Sequence, residues 1–208
     1  MTSMEPSFNL KTGHIEICGA IATGKTTLAQ LLAKEGGLAL IKEDFRAVPF
    51  FEAFYSDPVV FGFEAELSFS LQHYHRVKVA ARASSPFVCD FSPIQDLAYA
   101  DVTLEGGEKD AYVAVHEVIL RHLPAPRVLV YLKCDTSVLL ARIRARKRKG
   151  EESIDADYLQ AVDAALRSRL HEVESDTTVM SINTGDVDFT PEGPGRFEAI
   201  NALRRARA

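Results

Sequence analysis

Gly19-Ala20-Ile21-Ala22-Thr23-Gly24-Lys25-Thr26 is the stretch from which the architecture of this chain can be read. It matches G-x-x-x-x-G-K-[ST] at every position, the pattern of a loop whose backbone N–H groups cradle phosphate. Its context agrees. His14–Cys18 is a short apolar run that reads as a buried strand, and Thr26–Lys34 has helical spacing. A strand leading into a glycine turn that opens a helix gives the turn its anion affinity, because free N–H groups and the helix dipole point at one spot. Lys25 is placed to reach the β- and γ-phosphates of ATP or GTP, the Thr26 hydroxyl to bind Mg²⁺, and Thr27 to extend the loop into the helix.

Outward from this loop, the chain alternates strand and helix. Further strands are predicted at Leu38–Ile41, Phe87–Asp90, Arg127–Lys133 and Val179–Ile182. Helical patterns fall at Pro49–Ala83, Pro93–Val102, Lys109–Leu123, Asp135–Lys149 and Asp155–Val173. The first of these should break near Asp57-Pro58, because a residue before proline avoids the helical region. Five short apolar strands alternating with helices predict a five-stranded parallel sheet covered on both faces, a three-layer α/β domain. The 208 residues suit one domain. The tail from Pro191 reads as a basic helical end.

Composition narrows the function classes. The net charge of −5 gives the chain no general attraction for nucleic acid polymers. No apolar run is long enough to span a bilayer. Residues 1–11 lack the basic-then-apolar pattern of a secretory signal, so the expected location is cytoplasmic. Cys18, Cys89 and Cys134 are odd in number and widely spaced, which suggests neither a disulfide framework nor a zinc site. The six histidines show no metal-ligand spacing, and all but His73 read as structural or surface residues.

Five downstream segments resemble the deoxynucleoside kinase family, over roughly Ile15 to Leu166. Leu40-Ile41-Lys42-Glu43 ends a strand where the family carries its general base, although Asp44 stands in place of the usual proline. Phe54-Tyr55-Ser56-Asp57-Pro58 is similar to a family segment whose tyrosine binds the sugar 3′-hydroxyl. Phe63–Phe69 resembles a helix that reads the base with glutamine, here Glu66, and the family arginine one turn further is His73. An ionised glutamate only accepts hydrogen bonds, so it would favour bases that offer N–H donors. Cys89-Asp90-Phe91-Ser92 keeps the family acid for Mg²⁺ at Asp90, and Phe91 replaces the arginine that sits near the 5′-hydroxyl and the catalytic glutamate. Asp96 matches an acid that contacts the base.

Finally, six of the eight residues from Arg142 to Lys149 are Arg or Lys, and Gly150-Glu151 follow. The run resembles the family lid. Arg142, Arg146 and Arg148 fall on its arginines, and Glu151 on a glutamate that reaches the 3′-hydroxyl. Taken alone, each segment has a plainer reading: a turn cap for Glu43, a core tyrosine for Tyr55, a solvated helix face for the basic run. Together the resemblance implies an ATP- and Mg²⁺-dependent kinase acting on the 5′-hydroxyl of a deoxynucleoside. It implies Lys25, Glu43, Arg142 and Arg146 as catalytic groups and Tyr55, Glu66, His73, Asp96 and Glu151 as the nucleoside site. A homodimer is compatible with the resemblance, but no stretch of the sequence marks an interface. Two other readings stay open: a kinase for another small acceptor such as a nucleoside monophosphate, and a nucleotide-binding regulatory module without transferase activity.

Overall fold

A computed structural model describes residues 13–173 and 177–185, together with 187, 189, 193, 195, 200 and 201. The expected basic helix at the end of the tail falls outside the described residues.

Five strands form one sheet: β1 (His14–Gly19), β2 (Ala39–Ile41), β3 (Phe87–Cys89), β4 (Val128–Lys133) and β5 (Thr178–Asn183). Their order is β2-β3-β1-β4-β5 and every pairing is parallel. Period-2 alternation divides their side chains between two cores. Ile15 and Ile17 of β1, with Val128 and Val130 of β4, meet Leu28 and Leu32 of α1 (Lys25–Gly36). Cys18, Leu129 and Tyr131 point to the opposite face. There they meet α4 (Pro93–Thr103), α6 (Thr136–Arg146) and α7 (Ala156–Leu170) through Ala98, Leu139 and Leu159. The three-layer expectation therefore holds, with all five predicted strands present.

The long helical stretch breaks where proline requires it. Helix α2 (Phe51–Ser56) stops, and the Asp57 carboxylate accepts the Val60 N–H at 3.2 Å to cap α3 (Pro58–Arg82). Helix α5 (Gly106–His122) begins three residues before the predicted Lys109. The basic run corrects the sequence reading. It was expected to stay helical to Lys149, but α6 ends at Arg146 because Lys147 turns left-handed at φ 49° and Gly150 follows at φ 93°. Arg142 and Arg146 thus ride on a helix, while Arg148 and Glu151 sit on the turn beyond it.

Candidate active site

The carboxyl ends of β1, β2 and β3 open into a cleft of about 820 Å³, the place where open α/β sheets bind ligands. Its floor is the phosphate loop. Gly19 sits at φ 153°, and a Cβ there would lie 2.6 Å from the Leu132 carbonyl and 2.8 Å from Thr23 Oγ1, so no other residue fits. Gly24 opens α1 at φ 97°. Thr23 donates its hydroxyl to the Ala20 carbonyl at 2.9 Å, which fixes the curl from the inside. The Lys25 ammonium donates to the carbonyls of Gly19 and Ala20 at 2.8 and 3.1 Å. Burial lowers its pKa, opposed by the Glu43 and Asp90 carboxylates.

Asp90, at the end of β3, ties two chain segments together. One oxygen accepts the Thr26 hydroxyl at 2.6 Å and the other accepts the Glu43 backbone N–H at 2.6 Å. A single carboxylate therefore sets Glu43 at a fixed place beside the phosphate loop. Thr26 and Asp90 offer hard oxygen donors side by side, the donor chemistry that Mg²⁺ takes.

The opposite wall comes from α3 and α4. His73 and Asp96 are almost fully buried, and His73 Nδ1 lies 2.9 Å from both Asp96 oxygens. His73 Nε2 lies 3.5 Å from Glu43 Oε2, an ion-pair contact. The His73 ring stacks flat on Phe91, with centroids 3.9 Å apart and planes within 6°. Burial works against the charge on His73. The charge and hydrogen bond of Asp96, reinforced by Glu43, outweigh it and push the pKa up to about 10. For Glu43 burial acts upward, but the adjacent His73, with the charge of Lys25, holds the carboxyl below its usual range.

Glu66, expected from the resemblance to face the base, lies deep in the same wall. It is buried, its Oε1 accepts the Thr103 hydroxyl at 3.1 Å, and no salt bridge reaches it among the described residues. Burial, with the nearby Asp96 charge, pushes its pKa up to about 8. At pH 7 Glu66 keeps its proton and can donate as well as accept.

The lid closes the third side. Arg146 grips Glu151 through Nε at 2.7 Å and Nη2 at 2.5 Å, and Arg148 adds a contact at 3.3 Å. Glu151 is consequently buried. Arg148 also lies over the Phe45 ring at 4.0 Å. Arg142 points the other way and donates to the Thr184 carbonyl and hydroxyl at 2.7 and 3.2 Å, which ties the lid helix to the end of β5. Tyr55 is brought beside the lid turn, and a Cβ on Gly150 would lie 3.2 Å from its ring. Burial, then Glu151, raises the Tyr55 pKa. Apart from Gly19 and Ala20 at the start of the phosphate loop, all the sequence-predicted site residues line this cleft. It also contains two groups that sequence reasoning missed. Gln95 Oε1 accepts the Gly19 N–H at 3.2 Å, and Thr184 anchors Arg142. Neither lies in a motif.

A family model for deoxynucleoside kinases matches residues 15–205, nearly the whole chain. The chain belongs to the deoxynucleoside kinase family. Like the rest of this family of phosphotransferases, it is an enzyme built to use a nucleotide phosphate donor. The deoxyguanosine kinase of Bacillus subtilis (strain 168) is 27% identical over 183 residues, spanning 84% of this chain and 88% of that protein. The deoxyadenosine/deoxycytidine kinase of the same organism is 30% identical over 156 residues, spanning 71% and 72%. The deoxyadenosine kinase of Dictyostelium discoideum is 26% identical over 180 residues, spanning 84% and 74%. Solved structures of deoxyadenosine kinase from M. mycoides, with bound dCTP and with bound dATP, match with TM-scores of 0.75 and 0.78. They cover 92% of this chain and 97% of theirs at 18% and 19% identity, which speaks for a shared deoxynucleoside kinase fold.

Proposed function

We propose that this deoxynucleoside kinase moves the γ-phosphoryl of ATP to the 5′-hydroxyl of a deoxynucleoside. One observation carries the reading: Asp90 accepts both the Thr26 hydroxyl of the phosphate loop and the Glu43 backbone N–H, each at 2.6 Å, so the Glu43 carboxylate stands beside the place where the donor phosphates would meet an acceptor hydroxyl. Lys25, Arg142, Arg146 and Arg148 line the same cleft and suit a polyphosphate.

Each residue then has a task. The loop amides and Lys25 hold the donor phosphates, and Lys25 leaves the Gly19 and Ala20 carbonyls to do so. Thr26 and Asp90 would hold Mg²⁺, which supplies neutralisation of phosphate charge when bound. Glu43, ionised and aimed into the cleft, orients the acceptor hydroxyl and takes its proton. Arg146 and Arg148 exchange Glu151 for the transferring group, whose spread charge needs fixed cationic donors. Arg142, already braced on Thr184, flanks the donor. Tyr55 and the released Glu151 grip the sugar. Glu66 faces the base and, being protonated, presents both a donor and an acceptor.

The experiment is ADP release from purified protein with Mg-ATP, screened against each deoxynucleoside, each ribonucleoside and the monophosphates. Stimulation by one or two deoxynucleosides is the expected result. ATP binding without stimulated release by any of them would leave the phosphate loop in place and overturn the acceptor assignment.

A further inference from the structure

We propose that His73 is the positive charge that holds the Glu43 carboxylate in its working position, so that helix α3 supplies the cation that Phe91 cannot. The inference rests on the function proposed above, in which Glu43 meets the acceptor hydroxyl. His73 is a positioning residue in this scheme, because it acts on the reaction through Glu43.

Geometry leaves the imidazole little choice. It is 1% exposed and lies face to face with Phe91 at 3.9 Å, with the Phe69 ring 6.0 Å away. Nδ1 sits between both Asp96 oxygens at 2.9 Å, which assigns it a proton to donate. Only Nε2 remains, and it points at Glu43 Oε2 from 3.5 Å. Among the described residues, Nε2 is the one buried side-chain nitrogen or oxygen without a hydrogen-bond partner. A buried polar atom left unmet is costly, and it marks a contact that the working state completes. The titratable groups facing the ring are the Asp96 carboxylate from α4, the Glu43 carboxylate from the segment after β2, and the Glu66 carboxyl, kept neutral by burial, two turns back on α3. Two carboxylates against one imidazole keep both ring nitrogens protonated at neutral pH. The ring then bridges Asp96 and Glu43 with one N–H to each.

Glu43 has a fixed backbone, held by Asp90, but its side chain needs a second restraint. Lys25 is occupied by phosphate in the working state, and Phe91 offers an apolar ring with no charge. His73 supplies the missing restraint and, through its stacking on Phe91, cannot swing away.

A double-variant cycle tests this. Wild-type turnover with a deoxynucleoside is measured first, and its absence overturns the functional reading before any variant is compared. In an active wild type, His73→Gln is expected to lower kcat on the order of 10²-fold, the scale of a misplaced catalytic group, with ATP binding and nucleoside KM changed less than about threefold. In a Glu43→Gln background the same change is expected to cost less than about twofold more, because residues acting as a unit are non-additive. Equal losses in both backgrounds, or a loss confined to KM, would overturn the proposal and make His73 an independent substrate contact. Should His73→Gln fail to fold, ¹⁵N NMR of the histidine-labelled wild type decides. The ring with contacts to Phe91 is expected to carry protons on both nitrogens at pH 8. A single protonated nitrogen there overturns the assignment.

Discussion

At the scale of single residues the site separates its carboxyls by environment. Glu43 is ionised because His73 and Lys25 face it, and Glu66 is neutral because burial outweighs its one hydroxyl partner. The difference has two measurable consequences. Glu43→Gln keeps the shape and removes the carboxylate proposed as base, so kcat is expected to fall by roughly 10²-fold or more while ATP affinity holds; single-turnover kinetics would check it, and an unchanged rate would remove Glu43 from the chemistry. Glu66 acts on stability instead. Its folded pKa lies above the unfolded value, so the stability it contributes is full below about pH 4.5 and is lost as pH rises toward about 8. Glu66→Gln cannot ionise. Its Tm is therefore expected to gain on the wild type between pH 5 and pH 8.5, by roughly 2–4 °C for each kcal/mol of ionisation penalty. Parallel melting curves that never converge or diverge would show Glu66 to be ionised throughout. Base selection by Glu66→Gln at pH 7 should resemble that of the wild type, since both side chains donate and accept.

Among the elements, the pairing of α3 with α4 governs how Glu66 is held. Gly62 lies one turn before Glu66 on the same face, and a Cβ at Gly62 would come 2.9 Å from Thr103 Cγ2 and 3.4 Å from Leu104 Cδ2. The close approach brings the Thr103 hydroxyl onto Glu66. Gly62→Leu is expected to cost about 1–3 kcal/mol by overpacking, read as a lower denaturant midpoint; an unmoved midpoint would mean that α3 and α4 can separate freely. The elements also show what the sequence could and could not reveal. The phosphate loop was legible because its eight residues are contiguous and its strand and helix adjoin it. The break at Asp57-Pro58 was legible because proline acts on its immediate neighbour. The end of α6 was not, since Arg and Lys are good helix formers and only the left-handed turn at Lys147 stops the helix. Gln95 and Thr184 carry no local pattern at all. Each acquires its role from a strand or helix far away in sequence, Gln95 from Gly19 and Thr184 from Arg142.

For the molecule as a whole, the same distinction separates resemblance from mechanism. Phe91 looked like a plain loss of cation in the sequence, because His73 meets Phe91, Asp96 and Glu43 only after α3, α4 and β2 have packed. The global fold is also what ligand binding should stabilise. In the proposed reading the donor is held by parts from the phosphate loop after β1 to the lid, so saturating ATP at about 100 times its Kd should add about 2.7 kcal/mol, roughly 5–10 °C in Tm for a chain of this size. A Tm insensitive to ATP would mean that the loop is not a nucleotide site. The sheet order carries a further consequence. β1, which leads into the phosphate loop, lies between β3 and β4 and does not pair with β2, the next strand in sequence. During synthesis the loop therefore leaves the ribosome long before residues 128–133 exist to flank it, and Thr184, the brace for Arg142, arrives later still. Until then β1 has an open hydrogen-bonding edge, a template for pairing with another nascent chain. This kinase cannot acquire its nucleotide grip piece by piece as it emerges; the grip comes with the late strands, and the edges of β1 stay open until they appear.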